Sequence, residues 1–250
     1  MIHLKTAEEI EILDEANRIV LSVLDRLEKE LAPGTALQHL DALAEELCQK
    51  SGARPAFKGY NGYPASVCIS VNDEVVHGIP GRRRLQAGDL VSMDFGVVYR
   101  GYYGDAARTC IVGACDPEGE RLLRVTRESL LKGIGQAVEG NRVSDVSHAV
   151  QRHVEENGFS VVRDYVGHGV GRALHEEPQV PNFGDPGRGP RLQAGMVLAI
   201  EPMVNEGGPE VRVDADGWTV RTADGKRSAH FEFSVAVTPA GPRILGVSGA

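Results

Sequence analysis

Long hydrophobic runs are absent from this chain. Its apolar stretches, such as 196–200, are strand-length and fall far short of the roughly 18 residues a membrane helix needs, so no membrane span or membrane partner is expected. An excess of positive charge is absent as well. Lys plus Arg number 27 against 35 Asp plus Glu, a formal charge of −8, which argues against a nucleic-acid partner or an anionic membrane surface. Cysteine is sparse: Cys48, Cys68, Cys110 and Cys115 show no CxxC spacing and read as buried thiols of a reducing cytoplasm. The first residues carry no basic segment followed by an apolar stretch, so no secretory leader is expected. Several catalytic signatures are also missing. There is no GxSxG elbow and no Walker loop; residues 175–179 lack the second His of HExxH, and Arg172 takes the last glycine position of a dinucleotide fingerprint over 167–172. Nothing marks Cys68, near His77, as an activated thiol.

What is present is 250 residues, 42% hydrophobic, with 30 Gly and 13 Pro scattered along the chain, enough for a self-sufficient core and read as one domain over 1–250. Thr6 and Glu9 form a capping box ahead of an apolar stripe from Ile10 to Leu31, a helix ended by Pro33-Gly34. Thr35 with Gln38 opens a second helix, closed by Gly52. Short β-rich pieces follow at 66–76, 90–98 and 106–112. Around Asp116-Pro117 the plan restarts: helices near 118–138 and from Val143 to Gly158, then strands near 160–166, 196–204, 211–213, 218–222 and 229–238. The pentapeptide at 84–88 recurs letter for letter at 191–195, a shift of 107, and the second helices match at shifts of 106 or 107. Two helices and then a sheet, twice over, predict an α+β fold of duplicated halves, about 6–112 and 117–240, with antiparallel sheet.

The same shift lays Asp94 on Glu201, each inside an apolar strand beside small neighbours. An unpaired carboxylate there would lose several kcal/mol to desolvation unless it met a cation. Asp105 stands at a strand entry, Glu232 shares a face with His230 and Ser234, and His168 is flanked by glycines. Four carboxylates and one histidine make a hard donor set suited to divalent Mn, Fe, Co or Zn, and bridging carboxylates let five side chains hold two cations. His39, His148 and His153 fall in helical segments and read as ordinary surface or core histidines, and Arg82–Arg84 as a solvated loop patch.

Together the segments VNDEVVHGIP, MDFGVVYRGYYGDAART, YVGHGVGRALHEEPQVP and IEPMV and the final acidic strand resemble the type I methionine aminopeptidases, members of the pita-bread fold family, over essentially the whole chain. The length resembles the minimal bacterial form, without the insert of the type II enzymes or an N-terminal zinc-binding extension. The resemblance implies that Asp94 chelates one metal, that His168 and Glu201 hold the other, and that Asp105 and Glu232 bridge both. It implies roles for His77 and His175 as non-ligand catalytic histidines that also bind substrate, and for Tyr60, Tyr63, Cys68 and Trp218 in a methionine pocket. Glu201 is expected to double as base, and the substrate's free α-amine to bind on the Asp94 side. The expected activity is removal of the initiator methionine from peptides and nascent chains when the second residue is small, by a cytoplasmic monomer in transient contact with the ribosome.

Some positions depart from the family pattern: His230 and Phe233 stand where Gln and His are usual, and Phe57 and Asn61 where Cys and His are. Strand alternation turns Phe233 away from Glu232 while keeping His230 on its side. The competing readings are an Xaa-Pro peptidase or creatinase-like hydrolase of the same fold, and a non-catalytic pita-bread binding module.

Overall fold

The computed structural model describes residues 1–247. The first half runs through α1 (Ala7–Lys29), α2 (Leu37–Lys50), β1 (Arg54–Pro55), β2 (Cys68–Val71) and β3 (Glu74–Val76). It ends in a long hairpin, β4 (Leu90–Tyr99) and β5 (Tyr102–Ile111). The second half begins with α3 (Pro117–Ile134) and α4 (Val143–Glu156), then β6 (Ser160–Val161), β7 (Gly167–Gly169) and β8 (Glu176–Val180). There follow β9 (Val197–Ile200), β10 (Met203–Asn205), β11 (Val211–Val213) and β12 (Val220–Thr222). Last come β13 (Ser228–His230), β14 (Glu232–Thr238) and β15 (Gly241–Ile244).

Local chemistry sets the helix starts. At α1 the Thr6 N–H donates to Glu9 Oε2 at 2.9 Å and the Glu9 N–H to Thr6 Oγ1 at 3.3 Å, completing the capping box. Such a cap contributes about 1 kcal/mol. Asp116 caps α3 through the Glu118 and Gly119 amides, with Pro117 at the first helical position. α2 departs from expectation. Ala36 stands at its cap without a side-chain bond, and Thr35 donates instead to Glu30 O at 2.9 Å. The first amides of α2 are served from another segment: Leu37 N reaches Arg83 O at 3.0 Å and Gln38 N reaches Gly81 O at 2.9 Å.

That substitution of segment for side chain occurs in both halves. Ala36 bridges Arg84, and Arg142 bridges Arg191. Arg84 donates to Gly34 O at 2.7 Å and Arg191 to Gly140 O at 3.0 Å. The repeated pentapeptide is therefore a brace that closes the start of each second helix.

The strands form a nine-stranded sheet in the order β1-β4-β5-β14-β9-β7-β8, with β2 on β4 and β15 on β14, and every pairing is antiparallel. Along β4 the odd residues Val91, Met93, Phe95 and Val97 pack under α1 and α2 with Val20, Leu24, Leu27 and Leu40. On the other side Leu198, Ile200, Val235 and Val237 pack under α3 and α4 with Leu130, Ile134 and Val146. All four helices thus cover one face, and the even residues of β4 look the other way.

Several boundaries differ from the sequence reading. β5 begins at Tyr102, not 106, because the Gly/Tyr-rich run 101–104 is strand rather than loop, so Asp105 lies inside a strand instead of at its entry. The expected strands 196–204 and 229–238 are each broken, at Glu201-Pro202 and at Phe231. Proline has no N–H to give a ladder, which explains the first break. The strand foreseen at 160–166 shrinks to two residues, the helix near 118–138 stops at Ile134, and α1 stops at Lys29, short of Leu31. Only Cys48 and Cys68 are buried; Cys110 and Cys115 are half-buried, so the reading of four buried thiols holds for two.

Candidate metal centre

Register places the acidic residues. Asp94 on β4 faces Ala107 on β5, and Ala107 in turn faces Glu232 on β14. One step past the Phe233–Ile200 pair, Glu232 comes opposite Glu201. The neighbouring row on the same face runs from Gly96 to Asp105, and then through Ala199 to His168. Opposed residues of an antiparallel ladder point the same way, as do residues two apart. All five expected donors therefore rise from one face of one sheet in two adjacent rows, spaced by Ala107, Gly96 and Ala199. A Cβ on Gly96 would come 2.6 Å from the Phe57 ring, so the bare glycine seats that aromatic beside the carboxylates.

Single donor atoms of Asp105, His168 and Glu232 lie within 4.8 Å of one another. His168 Nε2 stands 3.4 Å from Glu201 Oε1 and 3.9 Å from Asp105 Oδ2. His168 Nδ1 lies 2.9 Å from Gly169 O. A carbonyl accepts only, so the proton sits on Nδ1 and the Nε2 lone pair faces the acids.

Burial pushes the Asp94 carboxyl up to about 7. Asp105, Glu201 and Glu232 lie well above the usual carboxylate range, through burial first and then mutual repulsion. Burial lowers His168 to about 4, and the nearby His175 adds to it, so no cationic imidazole offsets the acids at neutral pH. Asp94 Oδ1, Asp105 Oδ1 and Glu232 Oε1 are buried with no hydrogen-bond partner among the described residues. Buried acids stay ionised only when a counter-charge compensates, and oxygen-rich, closely spaced donors match a hard divalent cation. The residues present fit such a cation.

A cavity of about 230 Å³ opens over these rows. It is lined by all five donors, by His77 and His175, and by Tyr60, Tyr63, Cys68 and Trp218, so every site residue expected from the sequence borders one space. Tyr60 Oη lies 2.7 Å from His175 Nδ1. Tyr63 donates to Gly78 O at 2.9 Å and meets Trp218 edge-on, ring centroids 5.1 Å apart. His77 holds a left-handed backbone, φ 59°, which is uncommon outside glycine and concentrates at working sites. Its imidazole falls to about 4 through burial and then the nearby His175. Burial likewise lowers His175.

The family profile decides the class. Metallopeptidase family M24 matches residues 11–239. The chain belongs to that family. M24 membership makes divalent metal the cofactor class and matches the donor chemistry. The chain is 55% identical to the methionine aminopeptidase of Clostridium perfringens, over 98% of each chain. It is 53% identical to methionine aminopeptidase 1 of Bacillus subtilis, over 98% of this chain and 99% of that one. The crystal structure of the Thermotoga maritima methionine aminopeptidase superposes with a TM-score of 0.97 at 51% identity, covering 98% and 99% of the two chains. The Pyrococcus furiosus prolidase shares the fold alone, with a TM-score of 0.81 at 24% identity and 66% of its chain covered. The M24 fold is α+β, as the halves predicted, and pita-bread, as the resemblance implied. No described helix is long and apolar enough to cross a membrane.

Some residues of this M24 site escaped the sequence reading. Leu174, Tyr165, Val76 and Met203 also line the cavity, and Asn182, itself buried, donates from Nδ2 to Glu201 O at 3.1 Å. Leu174 and Tyr165 flank glycine-rich loops, where no periodicity exists to read. Phe57 and Asn61 border the cavity. His230 is buried, with neither ring nitrogen hydrogen-bonded among the described residues, and its Nε2 stands 3.9 Å from Glu201 Oε2. Phe233 packs under the helices, away from the cavity.

Proposed function

We propose that the chain is a metal-dependent methionine aminopeptidase that removes the N-terminal methionine of peptides and nascent proteins whose second residue is small. The observation that carries the reading is the single cavity in which an oxygen-rich donor set, two further histidines and an aromatic pocket meet. At about 230 Å³ it is small beside the roughly 300–1,000 Å³ of a general ligand pocket, room for one side chain. Tyr63, Trp218, Tyr60 and Cys68 receive the thioether, with Phe57 and Leu174 closing around it.

In this reading Asp94, Asp105, His168, Glu201 and Glu232 would hold two divalent cations between them; Co, Mn, Fe and Zn all suit the donors. Bound there, two cations supply Lewis acidity that brings water's pKa toward neutrality and polarises a carbonyl. The residues do the rest. Glu201, beside the attacking water and kept ionised by the cations, accepts its proton and passes it to the leaving amine. His175 donates from Nε2 to the oxyanion that grows on the scissile carbonyl. Burial holds the Tyr60 phenol protonated, and by donating to His175 Nδ1 it leaves the proton on Nε2, where the oxyanion needs it. His77 stays neutral and orients the scissile amide. We assign this work to one catalytic domain, a cytoplasmic monomer that meets nascent chains in transient contact with the ribosome.

Assay of Met-Ala-Ser against Ala-Pro peptides, with Co, Mn, Fe or Zn supplied in turn, tests the reading. Release of methionine from the first and none from the second is expected. An uncut Met-Ala-Ser with any metal overturns it. His175→Ala should lower kcat by about 10²–10³ with metal content unchanged, the cost of one oxyanion donor.

A further inference from the structure

Before α1 begins, the chain already touches the far side of the site. Lys5 Nζ lies 2.6 Å from Glu176 Oε2, and both side chains are largely shielded, 5% and 10% exposed. The Lys5 N–H donates to Gly195 O at 2.7 Å, which docks the arm on the second half's brace. Glu176 immediately follows His175. Its other oxygen, Oε1, accepts from Arg172 N at 2.8 Å and Ala173 N at 3.2 Å, so it closes the loop that presents Leu174 and His175 to the cavity. A Cβ on Gly171 would meet Lys5 Cε and Glu176 Oε1, each at 2.6 Å; the glycine lets the lysine stem pass beneath the loop.

A second tie comes from the first turn of α1. Glu9 Oε1 accepts from Tyr102 Oη at 2.6 Å and from Arg172 at 3.1 Å, and the Arg172 guanidinium lies 4.8 Å over the Tyr102 ring. Tyr103 N completes the anchoring with a 2.9 Å bond to Gly171 O. Although burial pulls the other way, Lys5 and the two amides hold the Glu176 carboxyl below its ordinary range, so it is charged whenever the site works.

We propose that the N-terminal arm is a positioning part of this site: the largely shielded Lys5–Glu176 pair fixes the loop 171–175 so that His175 meets the substrate carbonyl. The inference rests on the oxyanion role given to His175 above. An ion pair buried this way is weak evidence for stability, since desolvation offsets the attraction. What it supplies is one geometry for the loop, and small misplacements of a catalytic donor are costly in rate.

The test is a double-mutant cycle on the metal-loaded protein. Lys5→Met should lower kcat tenfold or more at unchanged metal stoichiometry, and Lys5→Arg should restore most of it. In a His175→Ala background, Lys5→Met should change kcat by less than twofold, because the donor it positions is gone. Glu176→Gln keeps an acceptor for the loop amides and loses only the charge; it should behave as Lys5→Met does, and it carries the cycle if Lys5→Met does not fold. Equal fold-losses in both backgrounds, or no loss in either variant, overturn the clamp and leave the His175 reading standing. A normal kcat in His175→Ala alone overturns the oxyanion role and the clamp with it.

Discussion

The two halves share a scaffold and diverge where they reach the site. In each, the repeated pentapeptide braces the start of the second helix, with Gly34 and Gly140 at the same φ of +94°. In the first half the following strands form an unbroken ten-residue ladder, and Asp94 and Asp105 stand inside it on short side chains. In the second half the corresponding strands are interrupted at Glu201-Pro202 and at Phe231. Glu201 has a longer side chain, its carbonyl is taken by Asn182, and His168 stands 3.4 Å from it. An intact ladder makes a rigid wall. A broken one leaves Glu201 outside the regular ladder, beside Pro202. The two halves thus offer similar frames, and in the reading proposed above the acid of the first serves as a ligand while Glu201 of the second serves also as the base.

The largest effect should come from testing that asymmetry directly. Asp94→Asn and Glu201→Gln change equivalent positions, one oxygen for one amide in each. If the first half only holds metal, Asp94→Asn weakens metal affinity by about 10–100-fold, and excess metal recovers much of the rate. In the proposed reading Glu201→Gln would remove the base along with a ligand, so kcat should fall by about 10³–10⁴ and stay down at any metal concentration. Calorimetric metal titration with activity read on the same samples decides it. Matching profiles for the two variants would dissolve the division of labour.

A medium effect is expected where the halves meet, when metal is stripped. Asp94, raised to about 7, and Asp105, Glu201 and Glu232, each raised well above the usual carboxylate range by burial and then repulsion, keep protons in the folded chain that the unfolded chain releases near pH 4. The folded state therefore binds more protons, and stability must fall with pH. It is fully present below about pH 4 and is lost as pH rises through 7, by about 1.4 kcal/mol per pH unit for each extra proton held. Chelated protein should show a Tm that drops from pH 5 to pH 8, and saturating metal should flatten the curve. Identical slopes with and without metal would mean that the carboxylates are not where the cation acts.

Legibility in the sequence followed the range of the interactions involved. Asp94 and Glu201 stood out because an acid in an apolar strand violates local pattern, and their equivalence followed from one repeated pentapeptide. Asp105 was singled out but misplaced, since a run of Gly and Tyr looks like loop until its partner strand is seen. The breaks at Glu201-Pro202 and Phe231 were hidden by continuous β-rich composition, although Pro202 was a visible warning. Asn182 and Leu174 carry no local signature at all. The Lys5–Glu176 pair joins residues 171 apart in the chain, and no periodicity reports on such a distance.

The smallest effect sharpens the comparison of the braces themselves. Gly88 and Gly195 occupy the same place in the repeat, at φ +91° and +93°, and donate alike to Val112 O at 2.8 Å and Val237 O at 3.0 Å. Alanine at either position meets the same backbone strain, of order 1–2 kcal/mol. Their surroundings differ. A Cβ on Gly88 would touch only Ala114 O at 3.6 Å, whereas on Gly195 it would strike Lys5 O at 2.9 Å. Gly195→Ala should therefore cost about 1–3 kcal/mol more than Gly88→Ala, the usual range for overpacking. Urea unfolding of both variants measures the difference, and deleting residues 1–5 should abolish it, because the obstacle is the arm rather than the brace. A difference that survives the deletion would place the asymmetry inside the repeat and not in what the chain lays across it.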